Sequence, residues 1–109
     1  LSQDSPQYRD VYSGDIWSRD GAYHQGTVWT WLLGRFITAY VRVNGNSAEA
    51  REKARDFILP FEDHIKDAGI GSISEIFDGG SPHYPRGCFA QAWSVAEILR
   101  VAVEDAGLN

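Results

Sequence analysis

The chain has one cysteine, no methionine and no block of basic residues in its 109 positions. A lone cysteine makes no internal disulfide, so nothing points to an oxidising compartment, and a cytoplasmic location is expected. The net charge is −5, and Lys and Arg are scattered, which argues against a nucleic-acid partner, whose phosphates need concentrated positive charge. No apolar run approaches the roughly 20 residues that span a bilayer, and no signal-peptide pattern opens the chain, so no membrane partner is expected. The first residue is Leu1, and together with the lack of methionine this reads as a segment of a longer protein. His24, His64 and His83 lack metal-ligand spacing, and Cys88 has no companion thiol, so neither a metal nor a cofactor is expected. "GIGS" lacks the further glycines of a phosphate loop, and no G-x-S-x-G elbow is present.

Apolar content, by contrast, is ample. Hydrophobic residues make up 43% of the chain and four are Trp, which fits a packed chain rather than a disordered one. Its length suits one domain at most, or part of a larger one. The first 23 residues are polar and turn-rich, without a period of 2 or 3.6, and read as extended or loop structure.

Three main helices are expected, over 27–44, 46–68 and 88–106, giving an all-α fold joined by long loops. In the first, Trp29, Leu32, Leu33, Phe36, Ile37 and Tyr40 form a helical stripe, while Val28, Trp31 and Val41 lie off it. A helix so apolar around its circumference must be covered on more than one side. Asn44-Gly45 is its stop signal. The second helix begins at Asn46 or Ser47, where Asn46 and Glu49 have the spacing of a capping box, and its stripe is Ala54, Phe57, Ile58, Phe61, Ile65 and Ala68. Pro60 should kink or locally loosen that helix, and His64 should face solvent. The third helix carries Phe89, Ala92, Trp93, Ala96, Leu99 and Val103 on one face. No strand pattern is visible beyond a short stretch within 70–77. Alternating tight turns and long loops suit stacked helical hairpins, with the long loops gathered at one end.

The loop "GSISEIFDGGSPHYPRGC", 71–88, is rich in Gly and Pro and longer than ordinary connections. Glu75 taken alone is an ordinary surface carboxylate. Its flanks, Ile73, Ile76 and Phe77, make it a candidate, because an apolar wall would raise its pKa, with Arg86 or His83 as opposing neighbours. Cys88 reads as a small buried apolar residue rather than a nucleophile. A second candidate is "AYHQGTVWTW", where Tyr23, His24, Gln25 and Trp29 crowd a helix entrance. Flat aromatic rings beside amide and imidazole groups suit a sugar surface. Trp31 reads as core.

Two stretches, "RDGAYHQGTVWTWLLGRF" (19–36) and "GIGSISEIFDGGSPHYPRGCFAQAWSVAEILR" (69–100), together resemble the C-terminal part of the glycogen debranching enzyme family, its amylo-α-1,6-glucosidase domain. The resemblance implies an (α/α)6 barrel, of which this chain would supply the last helical hairpins. It implies inverting hydrolysis of α-1,6-glucosidic branches in glycogen or limit dextrin, with Glu75 as general base. Tyr23, His24, Gln25 and Trp29 would line the sugar subsite, with His83, Arg86 and Trp93 supporting the pocket. The general acid would lie upstream of Leu1, so the isolated chain is expected to be inactive and to need the remainder of the barrel. One departure is Thr30, where the family usually has proline; it is expected to alter the helix start without touching a catalytic group. The alternatives are a helical carbohydrate-binding or interaction module without catalysis, and a related α-glucosidase of other linkage specificity.

Overall fold

A computed structural model describes residues 1–108. Among these residues lie five helices and three two-residue strands: α1 Ile16–Ala22, β1 Val28–Trp29, α2 Trp31–Val43, α3 Ala48–Ile58, α4 Pro60–Asp67, β2 Ile76–Phe77, β3 Pro85–Arg86 and α5 Ala92–Glu104. The fold is mostly helical, as expected, but the helix boundaries differ and each difference has a physical cause. None of the described helices is long and apolar enough to cross a membrane.

The helix expected over 27–44 begins only at Trp31, because Val28 and Trp29 pair with Phe77 and Ile76 in an antiparallel ladder. Ile76 and Phe77 also pair with Arg86 and Pro85, so β2 is the central strand. Strands this short carry no alternation to read in the sequence. They exist because three segments distant in the chain meet.

The helix expected over 46–68 is two helices. Leu59 ends α3, and Pro60 opens α4 in the first turn, where the amide proton it lacks has no intrahelical partner anyway. Leu59 keeps helical dihedrals (φ −50°, ψ −40°), so the proline interrupts the hydrogen-bond ladder there, which is the local loosening expected of it. Of the two expected starts, the structure takes Ser47: Asn46 has a left-handed conformation (φ 55°), and the Ser47 hydroxyl accepts from the Ala50 amide. The helix expected over 88–106 starts at Ala92, because Gln91 caps it with its own side-chain oxygen while Cys88 bonds elsewhere. The short helix α1 escaped the periodicity argument altogether. Asp15 caps it by accepting from the Ser18 amide, and only Ala22 is buried.

The core joins Ile37 and Val41 of α2, Ala54 and Ile58 of α3, Ile98 and Val101 of α5, and Ile73 and Ala106 from the adjoining loops. Phe57 and Phe61 pack against it, in keeping with the stripe expected on the second helix. The apolar face named on α5 is an exposed one: Trp93 is 49%, Leu99 63% and Val103 52% exposed. Ser94, Ile98 and Val101 point inward. The helix is apolar on two faces, so its period cannot choose between them. The choice is made by α2, where Gly34 lets α5 approach so closely that a Cβ there would lie 2.9 Å from Glu97 Cβ.

Polar contacts fix that approach. Arg100 binds Glu97 (2.9 Å) and Glu104 (3.0 Å), and also donates to Thr38 Oγ1 on α2 (3.1 Å). Thr38 donates to Asp105 at 2.6 Å. The C-terminal carbonyls of α5 lack helical partners, and Arg51 and Arg55 of α3 supply them, donating to Glu104, Asp105 and Ala106 oxygens.

Candidate functional site

Glu75 lies just before β2, and both its backbone and its carboxylate are held from several directions. Its amide donates to the Cys88 carbonyl (2.8 Å) and its carbonyl accepts from the Thr30 amide (3.3 Å). At the carboxylate, Oε1 accepts from the Tyr23 hydroxyl (2.5 Å) and from Gln91 Nε2 (2.9 Å), while Oε2 accepts from the Cys88 amide (3.2 Å). A carboxylate offers about four acceptor positions. Three are occupied here. Gly87 packs closely against Oε2: its φ is 68°, and a Cβ there would collide with that oxygen.

The carboxylate borders a cavity of about 510 Å³ lined by Tyr23, His24, Trp29, Trp31, Leu32, Gln91 and Trp93. The rings are ordered against one another. His24 stacks on Trp29 with planes 1° apart and centroids 4.9 Å apart. Trp93 presents its edge to Trp29 at 6.0 Å and also lies 6.0 Å from Trp31. Trp29 Nε1 donates to the Tyr23 carbonyl (2.8 Å), which fixes the ring beside the carboxylate. The Tyr23 phenol is pushed well above its ordinary pKa, first by burial and then by its bond to Glu75 and the charge there. It therefore stays protonated and acts as a donor. Among the residues described as lining the cavity, Glu75 is the one carboxylic acid.

The structure thus brings Glu75, Tyr23, His24, Trp29 and Trp93 together. It does not bring Arg86 and His83 to the carboxylate as opposing charges. Arg86 makes a two-pronged pair with the buried Asp78, at 3.0 and 2.9 Å, and His83 Nδ1 meets the Asp78 carbonyl at 2.9 Å. These contacts hold the β2–β3 hairpin, at whose base Asp78 sits. Gln25 lies outside the cavity lining and engages Arg9 and Ala22 through its backbone. Trp31, expected in the core, is only half-buried and faces the cavity.

Three further expectations are corrected. Cys88 is exposed rather than buried, since its backbone is spent on Glu75 and its thiol reaches only the Ala90 carbonyl. His64 does not face solvent freely: Nε2 accepts from the Ser74 amide (3.1 Å), and the ring meets Phe77 edge-on at 5.0 Å. Thr30 does more than begin a helix, because its amide and hydroxyl reach Glu75 and Ser74 carbonyls. Gln91 was not foreseen at all. Its position directly before an apolar helical run was the available signal, weak because Gln is a minor cap residue.

A family model described as amylo-alpha-1,6-glucosidase matches residues 1–100. The chain belongs to that family. No solved structure matches it. The amylo-alpha-1,6-glucosidase match spans every residue lining the cavity, so the carboxylate and its aromatic wall both lie within a glycosidase-family sequence. Membership links the chain to glycogen debranching. Among the described residues, no group of three His, Cys, Asp or Glu is arranged to hold a metal.

Proposed function

We propose that this chain supplies the general base and part of the glucose subsite of an inverting α-1,6-glucosidase, within a longer enzyme whose barrel it helps to close. The observation that carries the reading is the Glu75 carboxylate, held by three donors at the edge of an aromatic cavity. A water held by the carboxylate would give its proton to Glu75 as its oxygen attacks the anomeric carbon. The glycosidic oxygen would leave with a proton from a second carboxylic acid, about 6.5–9.5 Å from Glu75 across the water and sugar. The cavity lining contains no such acid among the described residues, which supports a contribution from another part of the enzyme.

The donors set geometry: their fixed distances aim the carboxylate. The stacked His24–Trp29 pair and Trp93 offer flat apolar faces to the C–H surface of a glucosyl ring. His83 and Arg86 act at one remove, by holding the hairpin after Glu75 in place.

Replacing Glu75 by Gln in the full-length enzyme tests the assignment, with glucose release from a branched dextrin as the readout. Loss of a general base lowers kcat by about 10² to 10⁴, with little change in KM. A near-normal rate would remove Glu75 from this role.

A further inference from the structure

The Ser74–Glu75 peptide is bonded at each of its backbone polar groups, and two of the partners are side chains. The Ser74 amide donates to His64 Nε2 on α4 (3.1 Å). The Ser74 carbonyl accepts from the Thr30 hydroxyl at the start of α2 (2.9 Å). The adjoining Thr30 amide donates to the Glu75 carbonyl, and the Glu75 amide donates to Cys88. Ser74 is 2% and Thr30 3% exposed, so water does not readily replace either side-chain bond. We propose that Thr30 and His64 are positioning residues that grip this peptide and thereby aim the Glu75 carboxylate into the cavity.

The inference rests on the reading of Glu75 as a base, and it assigns to α2 and α4 a task beyond packing. A rotation of the Ser74–Glu75 peptide would swing the carboxylate away from Tyr23 and Gln91, whose own positions are set by other segments. Misplacement by about 1 Å at a reacting group costs on the order of a hundredfold in rate. Thr30 contributes two donors, its amide and its hydroxyl, to consecutive carbonyls. His64 contributes an acceptor, which requires that Nε2 be unprotonated and that the ring proton sit on Nδ1.

The surroundings of His64 favour that form. Burial lowers its pKa, and Asp67 on the same helix opposes the shift. The elements packed on the ring present Phe61 from α4, Phe77 from β2, and Gly69 and Ser74 from the intervening loop. Protonation at Nε2 would set two donors against each other and release the Ser74 amide. Because the folded pKa lies below the ordinary histidine value, this contribution is intact above about pH 6.5 and fades as pH falls toward the lowered value.

The experiment uses the full-length enzyme and four variants: Thr30→Val, Thr30→Ser, His64→Phe and His64→Gln. Glucose release is measured across pH, and deuterium uptake is measured over residues 72–77. Thr30→Val and His64→Phe are expected to lower kcat about tenfold or more, with KM changed less than about twofold. Thr30→Ser and His64→Gln, which restore the hydroxyl and a non-titrating acceptor, should recover most of the rate. His64→Gln should also lose the part of the acid limb of kcat that follows His64. Uptake over 72–77 should rise in Thr30→Val and His64→Phe and return in the rescuing pair.

A kcat loss that matches the unfolded fraction alone, or one that the rescuing variants do not relieve, overturns the proposal. Unchanged uptake in Thr30→Val and His64→Phe overturns it whatever the rate. Glu75→Gln run alongside separates the two failures. If that variant keeps its rate, the base assignment falls, and the uptake data still decide whether Thr30 and His64 hold the peptide.

Discussion

Glu75 draws its donors from three segments: Tyr23 after α1, Gln91 at the start of α5, and the Cys88 backbone between β3 and α5. Such convergence explains why a single acidic residue in an irregular loop has a defined orientation. Tyr23 is the donor at the shortest distance, and its raised pKa keeps it from serving as an acid at neutral pH. Tyr23→Phe should therefore lower kcat about tenfold, the cost of one hydrogen bond to a charged group. It should leave the alkaline limb of the pH–rate profile below about pH 10 unchanged, since the phenol titrates above its ordinary value. An alkaline limb that disappears with the hydroxyl would show that Tyr23 titrates in the working range. The candidate residues were legible in the sequence as unusual polar groups among aromatics. Their partners were not: Arg86 and His83 lie as near to Glu75 in sequence as Gln91 does, yet they close a hairpin around Asp78 instead.

The helices show the same division between composition and context. Phe57, Ile58 and Phe61 lie on the stripe that their spacing predicts, because α3 and α4 are polar on the opposite face. For α2 and α5 spacing was ambiguous, and the helix pair is settled by close approach at Gly34 and by the Arg100 network. Gly34→Ala tests this point. An alanine in a helix gains about 1 kcal/mol over glycine. Here its Cβ would meet Glu97 Oε2 at 2.5 Å and Glu97 Cβ at 2.9 Å, and overpacking of this kind costs about 1–3 kcal/mol. The carboxylate end of Glu97 can move, but its Cβ is fixed by the helix, so separation of α2 from α5 outweighs the gain. Urea denaturation should show a net loss of stability; a more stable variant would mean that the two helices are not locked at Gly34. Arg100 also holds the Glu97 carboxyl below its ordinary pKa through their hydrogen bond. That contribution is present above the usual carboxylate value and fades as pH falls through the lowered one.

Across the molecule, apolar surface is unevenly spent. The core is continuous through α2, α3 and α5, yet Phe36, Trp93, Leu99 and Val103 remain about half exposed or more. Patches of this kind mark surfaces that meet something else. Under the proposed barrel, other helices of the longer enzyme cover the outer face of α5. Leu99→Lys in the full-length enzyme should then lower Tm by several degrees, as expected when a charge is forced into an apolar contact. An unchanged Tm would leave that face in solvent and count against the barrel arrangement.

The sequence by itself determined that the chain is mostly helical, where its apolar residues fall, and that Glu75 lies in a loop rich in Gly and Pro. These are local properties, set by period, capping residues and the chemistry of neighbouring side chains. Tertiary structure decided which face of α5 turns inward and that three short segments pair into a sheet. It also decided which donors reach Glu75, and that Thr30 and His64 hold the peptide beneath it. Each of those outcomes depends on segments far apart in the chain arriving at hydrogen-bonding distance, and no sequence period records such a meeting.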